Sequence, residues 1–87
     1  MYAIIVYDVS VERVNKVKKF LRTYMTWVQN SVFEGELTKS EFETVKIGLK
    51  NIIDEDYDSV IIFSSNTSKY INRKILGVDK NELTDIL

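Results

Sequence analysis

Two short apolar runs stand out along the chain. The first extends from Tyr2 to Tyr7 and stops abruptly at Asp8, and the second follows Ser59 as far as Ser64. Runs of this length are typical of strands inside a sheet, and the first one predicts a central strand over Tyr2–Asp8 that is buried on both faces. A carboxylate at the end of such a strand is held rigidly and reaches solvent at the sheet edge, which makes Asp8 the first candidate for chemistry.

Two longer stretches repeat apolar residues at steps of three and four, which predicts two amphipathic helices. The first is expected over Val11–Tyr24, with Ser10 as its N-cap. The second is expected over 39–53. It follows a capping box in which the Thr38 hydroxyl and the Glu41 carboxylate serve each other's free backbone N–H groups.

Two further segments are extended in a less regular way. Residues 27–37 form either one long bent strand or a very tight hairpin, and Gly35 within them indicates a bulge or a close backbone approach. Residues 70–76 alternate weakly and predict an edge strand that ends at Gly77. The tail over 78–87 carries apolar residues that are easier to explain if the tail docks, for instance on another subunit.

The order of these elements is strand, helix, extended segment, helix, strand and extra strand. This order predicts an α+β fold, a ferredoxin-like α/β sandwich in which two helices cover one face of the sheet. The 87 residues make one domain over 1–87, in which about residues 66–87 supply the additional C-terminal strand and a tail that a dimer can swap. The uncovered face of the sheet predicts a face-to-face homodimer.

Composition removes several classes of chemistry. The chain has no Cys and no His, which excludes disulfides, thiol nucleophiles, zinc–thiolate sites and the commonest general base. Catalysis is left to carboxylates, Lys, Tyr, Ser or Thr, or to a hard cation such as Mg²⁺ held by oxygen ligands. No apolar run is long enough for a membrane span and Met1 leads straight into a strand, so we expect no membrane contact and a cytoplasmic location.

Charge is unevenly distributed along the chain. Residues 1–33 carry five basic and two acidic side chains, whereas residues 34–58 carry eight acidic and three basic ones. Four of the five basic residues of the first helix lie off its apolar stripe, where they form either an ordinary solvated surface or a surface for a polyanion. They are Arg13, Lys16, Lys19 and Arg22. For Asp8, spacing alone favours a turn residue over a metal ligand.

Four pieces of the chain occur together in an informative order and spacing. They are Tyr7-Asp8-Val9-Ser10, Arg13-Val14-Asn15-Lys16-Val17, the segment VQNSVFEGEL from Val28 to Leu37, and Asp58-Ser59-Val60-Ile61-Ile62. The most specific are the Tyr-Asp pair that ends the first strand and the Val-Gln-x-Ser-Val-Phe-Glu-Gly segment. Together these pieces make the chain resemble the CRISPR-associated protein 2 family of small adaptation proteins.

The resemblance implies a Mg²⁺-dependent endonuclease that hydrolyses single-stranded RNA or double-stranded DNA. It also implies a homodimer in which the last strand crosses to the partner, and a partnership with the CRISPR integrase when new spacers are captured. The family's metal-binding, catalytic aspartate falls on Asp8, and the tyrosine beside it falls on Tyr7.

The resemblance also implies roles for residues away from the first strand. The family's phenylalanine near the dimer cleft falls on Phe33, and its basic residues in the first helix fall around Arg13 and Lys16, with Lys19 and Arg22 beyond them. Some members carry Arg just before the Val-Gln step, where this chain has Trp27. In place of a phosphate contact, a tryptophan in the cleft can stack on a base.

The chemistry of such a dimer is consistent with this activity. A two-fold axis at the strand ends brings two Asp8 carboxylates together, where Mg²⁺ can relieve their repulsion, polarise a phosphate oxygen and activate a water molecule. The alternative is a non-catalytic dimeric scaffold that bridges CRISPR integrase subunits and binds duplex DNA, with Asp8 vestigial. A third interpretation, a metabolite-sensing module, has no motif in its support.

Overall fold

A computed structural model describes residues 1–67, 69 and 71–81. The elements follow in the order β1 (Tyr2–Asp8), α1 (Val11–Tyr24), β2 (Thr26–Gln29), β3 (Val32–Glu36), α2 (Lys39–Ile52) and β4 (Ser59–Ser65). The strands form one antiparallel sheet in the order β2-β3-β1-β4, so β1 is central as predicted. The α+β fold is confirmed, and the predicted ends of α2 and β4 are each off by one residue.

The hydrophobic core lies between the two helices and one face of the sheet. It is built from the buried residues Ala3, Ile5, Tyr7, Val17, Leu21, Met25, Phe33, Leu37, Val45 and Leu49. Burial alternates along β1, because Ile4 and Val6 on its other face are only half buried. The prediction that β1 is buried on both faces is therefore wrong for the single chain, whose helices cover one face only.

Residues 27–37, which the sequence left as a bent strand or a hairpin, form a hairpin. Trp27 of β2 lies opposite Phe33 of β3, and Asn30 occupies the turn at φ 42°, a backbone region that Asn enters more readily than most residues. The Trp27 indole Nε1 donates a hydrogen bond of 3.0 Å to the Asn30 carbonyl. A Cβ at Gly35 would lie 3.4 Å from Met25 Cα, which confirms the expected close backbone approach.

Both helices begin at their predicted N-cap residues, but only α2 has a side-chain cap. The Thr38 Oγ1 accepts a hydrogen bond of 3.0 Å from the Glu41 amide, and the Glu41 carboxylate accepts one of 2.9 Å from the Thr38 amide. The Ser10 hydroxyl caps no backbone N–H of α1 and instead lies 3.3 Å from a Glu12 carboxylate oxygen. Among the described residues, no helix is long and apolar enough to cross a membrane.

The chain after β4 departs from the prediction. Residues 71–76 adopt no regular secondary structure, so this part of the edge strand expected over 70–76 does not form in the single chain. Arg73 instead makes a 3.1 Å ion pair with Glu34 of β3, which holds this segment against the sheet rather than in its hydrogen-bonded ladder. The docking expected of the tail falls largely on residues 82–87, which lie outside the described residues.

Candidate functional site

Asp8 ends β1 on the face of the sheet that the helices leave uncovered. It lies directly opposite Ser59 of β4, in the register that also sets Val6 opposite Ile61 and Ile4 opposite Phe63. Because side chains alternate along a strand and opposed residues share a face, Asp8 lies on the same side as these apolar pairs. The strand geometry therefore aims the exposed Asp8 carboxylate away from the core.

The apolar pairs form an open face, defined here as Ile4, Val6, Ile61 and Phe63. Ile61 is 52% exposed and Phe63 is 56% exposed, although both are large apolar residues in the middle of a strand. Contiguous exposed apolar residues of this kind mark interaction surfaces in soluble proteins. Asp8 thus lies at the rim of a surface that is suited to contact another molecule.

Tyr7 lies on the opposite side of the sheet from Asp8. Its side chain is only 3% exposed, and its ring stacks on that of Phe33 with 6.2 Å between the ring centroids. Burial raises the pKa of Tyr7, and its hydroxyl has no hydrogen-bond partner among the residues that the structure describes. The predicted catalytic role of Tyr7 does not fit this position, because the sheet separates the hydroxyl from the Asp8 carboxylate.

The two residues assigned to a cleft near the dimer axis also lie on the helix side. Phe33 is fully buried in the core of the single chain, where it packs against the helix side of the sheet. Trp27, which opposes Phe33 in the hairpin, is half buried against the same core. Both side chains already have contacts within the chain, and their place near a dimer cleft stays a prediction.

Arg13 takes part in a partly buried network around the Asp58 carboxylate, which we call the Asp58 hub. Asp58 Oδ2 accepts hydrogen bonds from Arg13 Nε at 2.6 Å and from the Asp54 amide at 2.9 Å. Asp58 Oδ1 accepts hydrogen bonds from the Ser10 amide at 2.9 Å and from Arg13 Nη2 at 3.0 Å. The third guanidinium nitrogen, Nη1, donates to Glu12 at 2.9 Å. Arg13, predicted to contact nucleic acid, is therefore committed to contacts within the chain.

The ionisation of the hub follows from these contacts. The Asp58 side chain is 1% exposed, and burial alone disfavours its charged form. The hydrogen bonds from Arg13 outweigh burial, and with those from the Asp54 and Ser10 amides they hold the pKa of Asp58 well below its usual range. The same pair raises the pKa of Arg13, so the hub is a charged pair at working pH.

Three other cations predicted to contact nucleic acid are exposed on α1. Lys16, Lys19 and Arg22 follow one another at steps of three residues, which places them along one side of a helix. No ion pair involves any of the three within the described part of the chain. We call these residues the basic stripe, because they present positive charge to solvent along one side of α1.

A Mg²⁺ site fits one chain only in part. No group of three or more potential ligand side chains occurs within residues 1–67, 69 and 71–81. Mg²⁺ is commonly held by one or two carboxylates together with water and substrate phosphate, so an exposed Asp8 can supply one ligand. A second Asp8 from another copy would complete the protein's share of such a site.

Sequence reasoning missed the Asp58 hub. Asp58 belongs to an acidic stretch that also contains Asp54, Glu55 and Asp56, and residue type alone does not distinguish Asp58 from these neighbours. The hub partner Arg13 lies 45 positions away in the sequence. The available signal was positional, since Asp58 directly precedes β4 and therefore lies beside the end of β1.

Comparison with known proteins identifies relatives along the whole chain. The family model described as CRISPR associated protein Cas2 matches residues 1–73. The CRISPR-associated endoribonuclease Cas2 of Methanocaldococcus jannaschii is 60% identical over 87 residues, which are 100% of this chain and 76% of that protein. The protein of the same name from Pyrococcus furiosus is 59% identical and covers 100% of both chains.

Solved structures agree with the sequence relationship. A crystal structure of cas2 matches with a TM-score of 0.84 at 51% identity, over 92% of this chain and 90% of that one. The Streptococcus pyogenes Cas2 structure matches with a TM-score of 0.78 at 35% identity, over 88% of this chain and 100% of that one. The chain therefore belongs to the CRISPR-associated Cas2 family.

Proposed function

We propose that this chain is a Mg²⁺-dependent endonuclease of CRISPR adaptation, which hydrolyses phosphodiester bonds of single-stranded RNA or double-stranded DNA as a homodimer. The observation that carries the proposal is the position of Asp8, an exposed carboxylate that shares one face of the sheet with the open face. Relatives at 60% and 59% identity are named endoribonucleases, which favours RNA as the first substrate to test.

The homodimer is supported by the open face. Ile61 and Phe63 would be buried when two copies pack sheet against sheet, and each fully buried side chain of this size contributes roughly 1.5–3 kcal/mol. A two-fold axis near the Asp8 end of β1 would then set one Asp8 from each copy across the interface. Neither copy alone supplies both carboxylates.

Exchange of the last strand is supported by the edge of the sheet. The outer edge of β4 pairs with no strand among the described residues, and beside it lies a groove of about 440 Å³ whose apolar lining includes Leu49, Val60 and Ile62. An extended segment can pair with such an edge and place alternate side chains in the groove. Residues 71–76, which form no strand on their own sheet, suit this role in a second copy.

In this proposal, different side chains bind the cation and the substrate phosphates. The paired Asp8 carboxylates hold the cation, and the basic stripe of α1 binds backbone phosphates without reading base sequence. When bound, Mg²⁺ supplies Lewis-acid polarisation of a phosphate oxygen and lowers the pKa of a coordinated water. The Asp58 hub keeps Arg13 within the protein, so phosphate binding falls to Lys16, Lys19 and Arg22.

The first experiment is cleavage of labelled single-stranded RNA and duplex DNA across a series of Mg²⁺ concentrations. Wild type is compared with Asp8→Asn after light scattering has shown that both are dimers. We expect metal-dependent cleavage that the substitution abolishes. Binding without cleavage, or equal cleavage by the two proteins, would overturn the proposal and favour the non-catalytic scaffold that bridges CRISPR integrase subunits on duplex DNA.

A further inference from the structure

The Asp58 hub lies beside Asp8 and contacts the turn that follows it. The Ser10 amide, two residues after Asp8, donates to the Asp58 carboxylate at 2.9 Å. Ser59, the neighbour of Asp58, lies opposite Asp8 in the β1–β4 register. Ser59 therefore fixes the end of β1 through the sheet ladder. The Asp58 side chain fixes the turn that follows β1.

We propose that Asp58 is a positioning residue for Asp8, acting through the Ser10 amide, and that this hydrogen bond sets the affinity of the paired Asp8 carboxylates for a divalent cation. The inference rests on the proposed function. Groups that orient metal ligands without touching the metal commonly change metal affinity or activity by about 10- to 100-fold when they are removed.

The chemistry of the hub explains why a carboxylate is needed at position 58. All four hydrogen bonds reach it from donors, two from Arg13 and one each from the amides of Ser10 and Asp54. An asparagine side chain has one acceptor oxygen and a donating NH₂ group. In either orientation of its amide, the NH₂ group would face two of these donors and could accept from neither. Asp58→Asn therefore releases the turn after Asp8 while changing the size of the side chain little.

A second variant removes the proposed contact and leaves the ion pair in place. Ser10 has φ −53°, which lies within the range that proline fixes, so Ser10→Pro deletes the N–H without forcing the residue into a new φ. The Ser10 carbonyl still accepts from the amides of Arg13 and Val14 at the start of α1. Ser10→Ala is the matched control, because it removes the hydroxyl and keeps the N–H.

The experiment measures Mn²⁺ binding to the dimer by electron paramagnetic resonance, and the Mg²⁺ midpoint of RNA cleavage, in S10P, D58N, S10A, D56N and D8N. Asp56 is an exposed aspartate of the same loop, so D56N controls for the loss of charge. We expect S10P and D58N to weaken Mn²⁺ binding and raise the Mg²⁺ midpoint by about 10-fold or more, with RNA affinity unchanged in S10P, where the Arg13–Asp58 ion pair remains. S10A and D56N should match wild type.

The outcomes separate this inference from the function on which it rests. If D8N abolishes Mn²⁺ binding and cleavage but folded, dimeric S10P binds Mn²⁺ as S10A does, the positioning role is overturned and the nuclease stands. If D8N binds Mn²⁺ and cleaves like wild type, both are overturned. Weakened RNA affinity with unchanged Mn²⁺ binding in S10P would also overturn the positioning role, since the turn would then act on substrate.

Discussion

Tyr7 and Asp8 are neighbours in β1 whose side chains lie on opposite faces of the sheet. The tyrosine is buried in the core with 3% exposure, whereas the carboxylate is exposed at the rim of the open face. The strand period of two residues makes this separation unavoidable while β1 stays regular. The two neighbours therefore suit two different purposes: Tyr7 stabilises the core, and under the proposed function Asp8 holds the cation.

Tyr7→Phe separates these purposes experimentally. The hydroxyl is buried with no hydrogen-bond partner in the described part of the chain, and such a group costs about 1–3 kcal/mol. We therefore expect the variant to gain about 1 kcal/mol in free energy of unfolding, measured by urea denaturation, and to keep wild-type cleavage. Loss of cleavage in a folded Y7F dimer would contradict the core role and restore the catalytic one.

The open face predicts that replacement by glutamate weakens dimerisation at one of two similarly exposed isoleucines and not at the other. Ile61 is 52% exposed in the open face, and Ile47 is 60% exposed on α2. Ile61→Glu would set like charges against each other across a sheet-to-sheet dimer, a cost of several kcal/mol, which weakens association by roughly 100-fold or more. Light scattering over a dilution series measures this effect.

Ile47→Glu is the matched control for that experiment, because it makes the same change on the helix side. We expect it to remain dimeric under the conditions that dissociate Ile61→Glu, and to retain cleavage. A dimer lost only in the α2 variant would show that the copies meet through their helices, and Asp8 would then have no partner.

Agreement between sequence and structure is best where the signals are local. The bounds of β1 and α1 follow from apolar spacing, and the Thr38 capping box depends on residues three apart. The continuous apolar run in β1 does not reveal which of its residues face the helices, because the open face is apolar as well. The position of Asp58 directly before β4 places it beside the end of β1, but its contact with Arg13 could not be predicted, because that contact forms only after folding.

Gly48 is the contact point between the helices. A Cβ built there would overlap the ring of Phe20, which itself packs on Tyr24 with 5.4 Å between ring centroids. Alanine favours a helix by about 1 kcal/mol over glycine, but overpacking costs about 1–3 kcal/mol. Gly48→Ala should therefore lower the free energy of unfolding by about 1 kcal/mol in the wild-type background.

The sign of that effect should reverse once Phe20 is truncated. In a Phe20→Ala background the overlap is gone, and Gly48→Ala should raise the free energy of unfolding by up to about 1 kcal/mol through helix propensity. Urea denaturation of the four proteins completes a double-mutant cycle. Equal effects in both backgrounds would mean that the Phe20 ring turns aside freely and that Gly48 is not required for packing.

The Asp58 hub predicts a component of acid sensitivity. Its contacts with Arg13 hold the folded-state pKa of Asp58 below the unfolded value of about 3.9, so the ionised hub stabilises the fold above that pH. This stabilisation is lost as the pH falls from about 5 through the folded pKa. Denaturation midpoints from neutral to acidic pH should decline less steeply for Asp58→Asn than for wild type.

Asp56→Asn tests whether that effect belongs to the hub. It makes the same substitution two positions away on an exposed side chain that does not contact Arg13. If its acid profile were as shallow as that of Asp58→Asn, the loss of charge in the loop would explain both results. A shallow profile in Asp58→Asn alone assigns the linked proton to the Arg13 contact.

If the basic stripe binds nucleic acid as proposed, the affinity should depend strongly on salt concentration. Each phosphate neutralised by a lysine adds about 0.7 to 0.9 to the slope of log affinity against log salt, depending on whether the strand is single or double. Lys16→Gln with Lys19→Gln should reduce that slope by about 1.5 and weaken RNA and DNA alike. Filter binding across a salt series measures this slope.

Lys39→Gln is the matched control, because it removes an exposed lysine at the start of α2 and should leave the slope unchanged. An unchanged slope in the double variant would move the phosphate contacts away from α1.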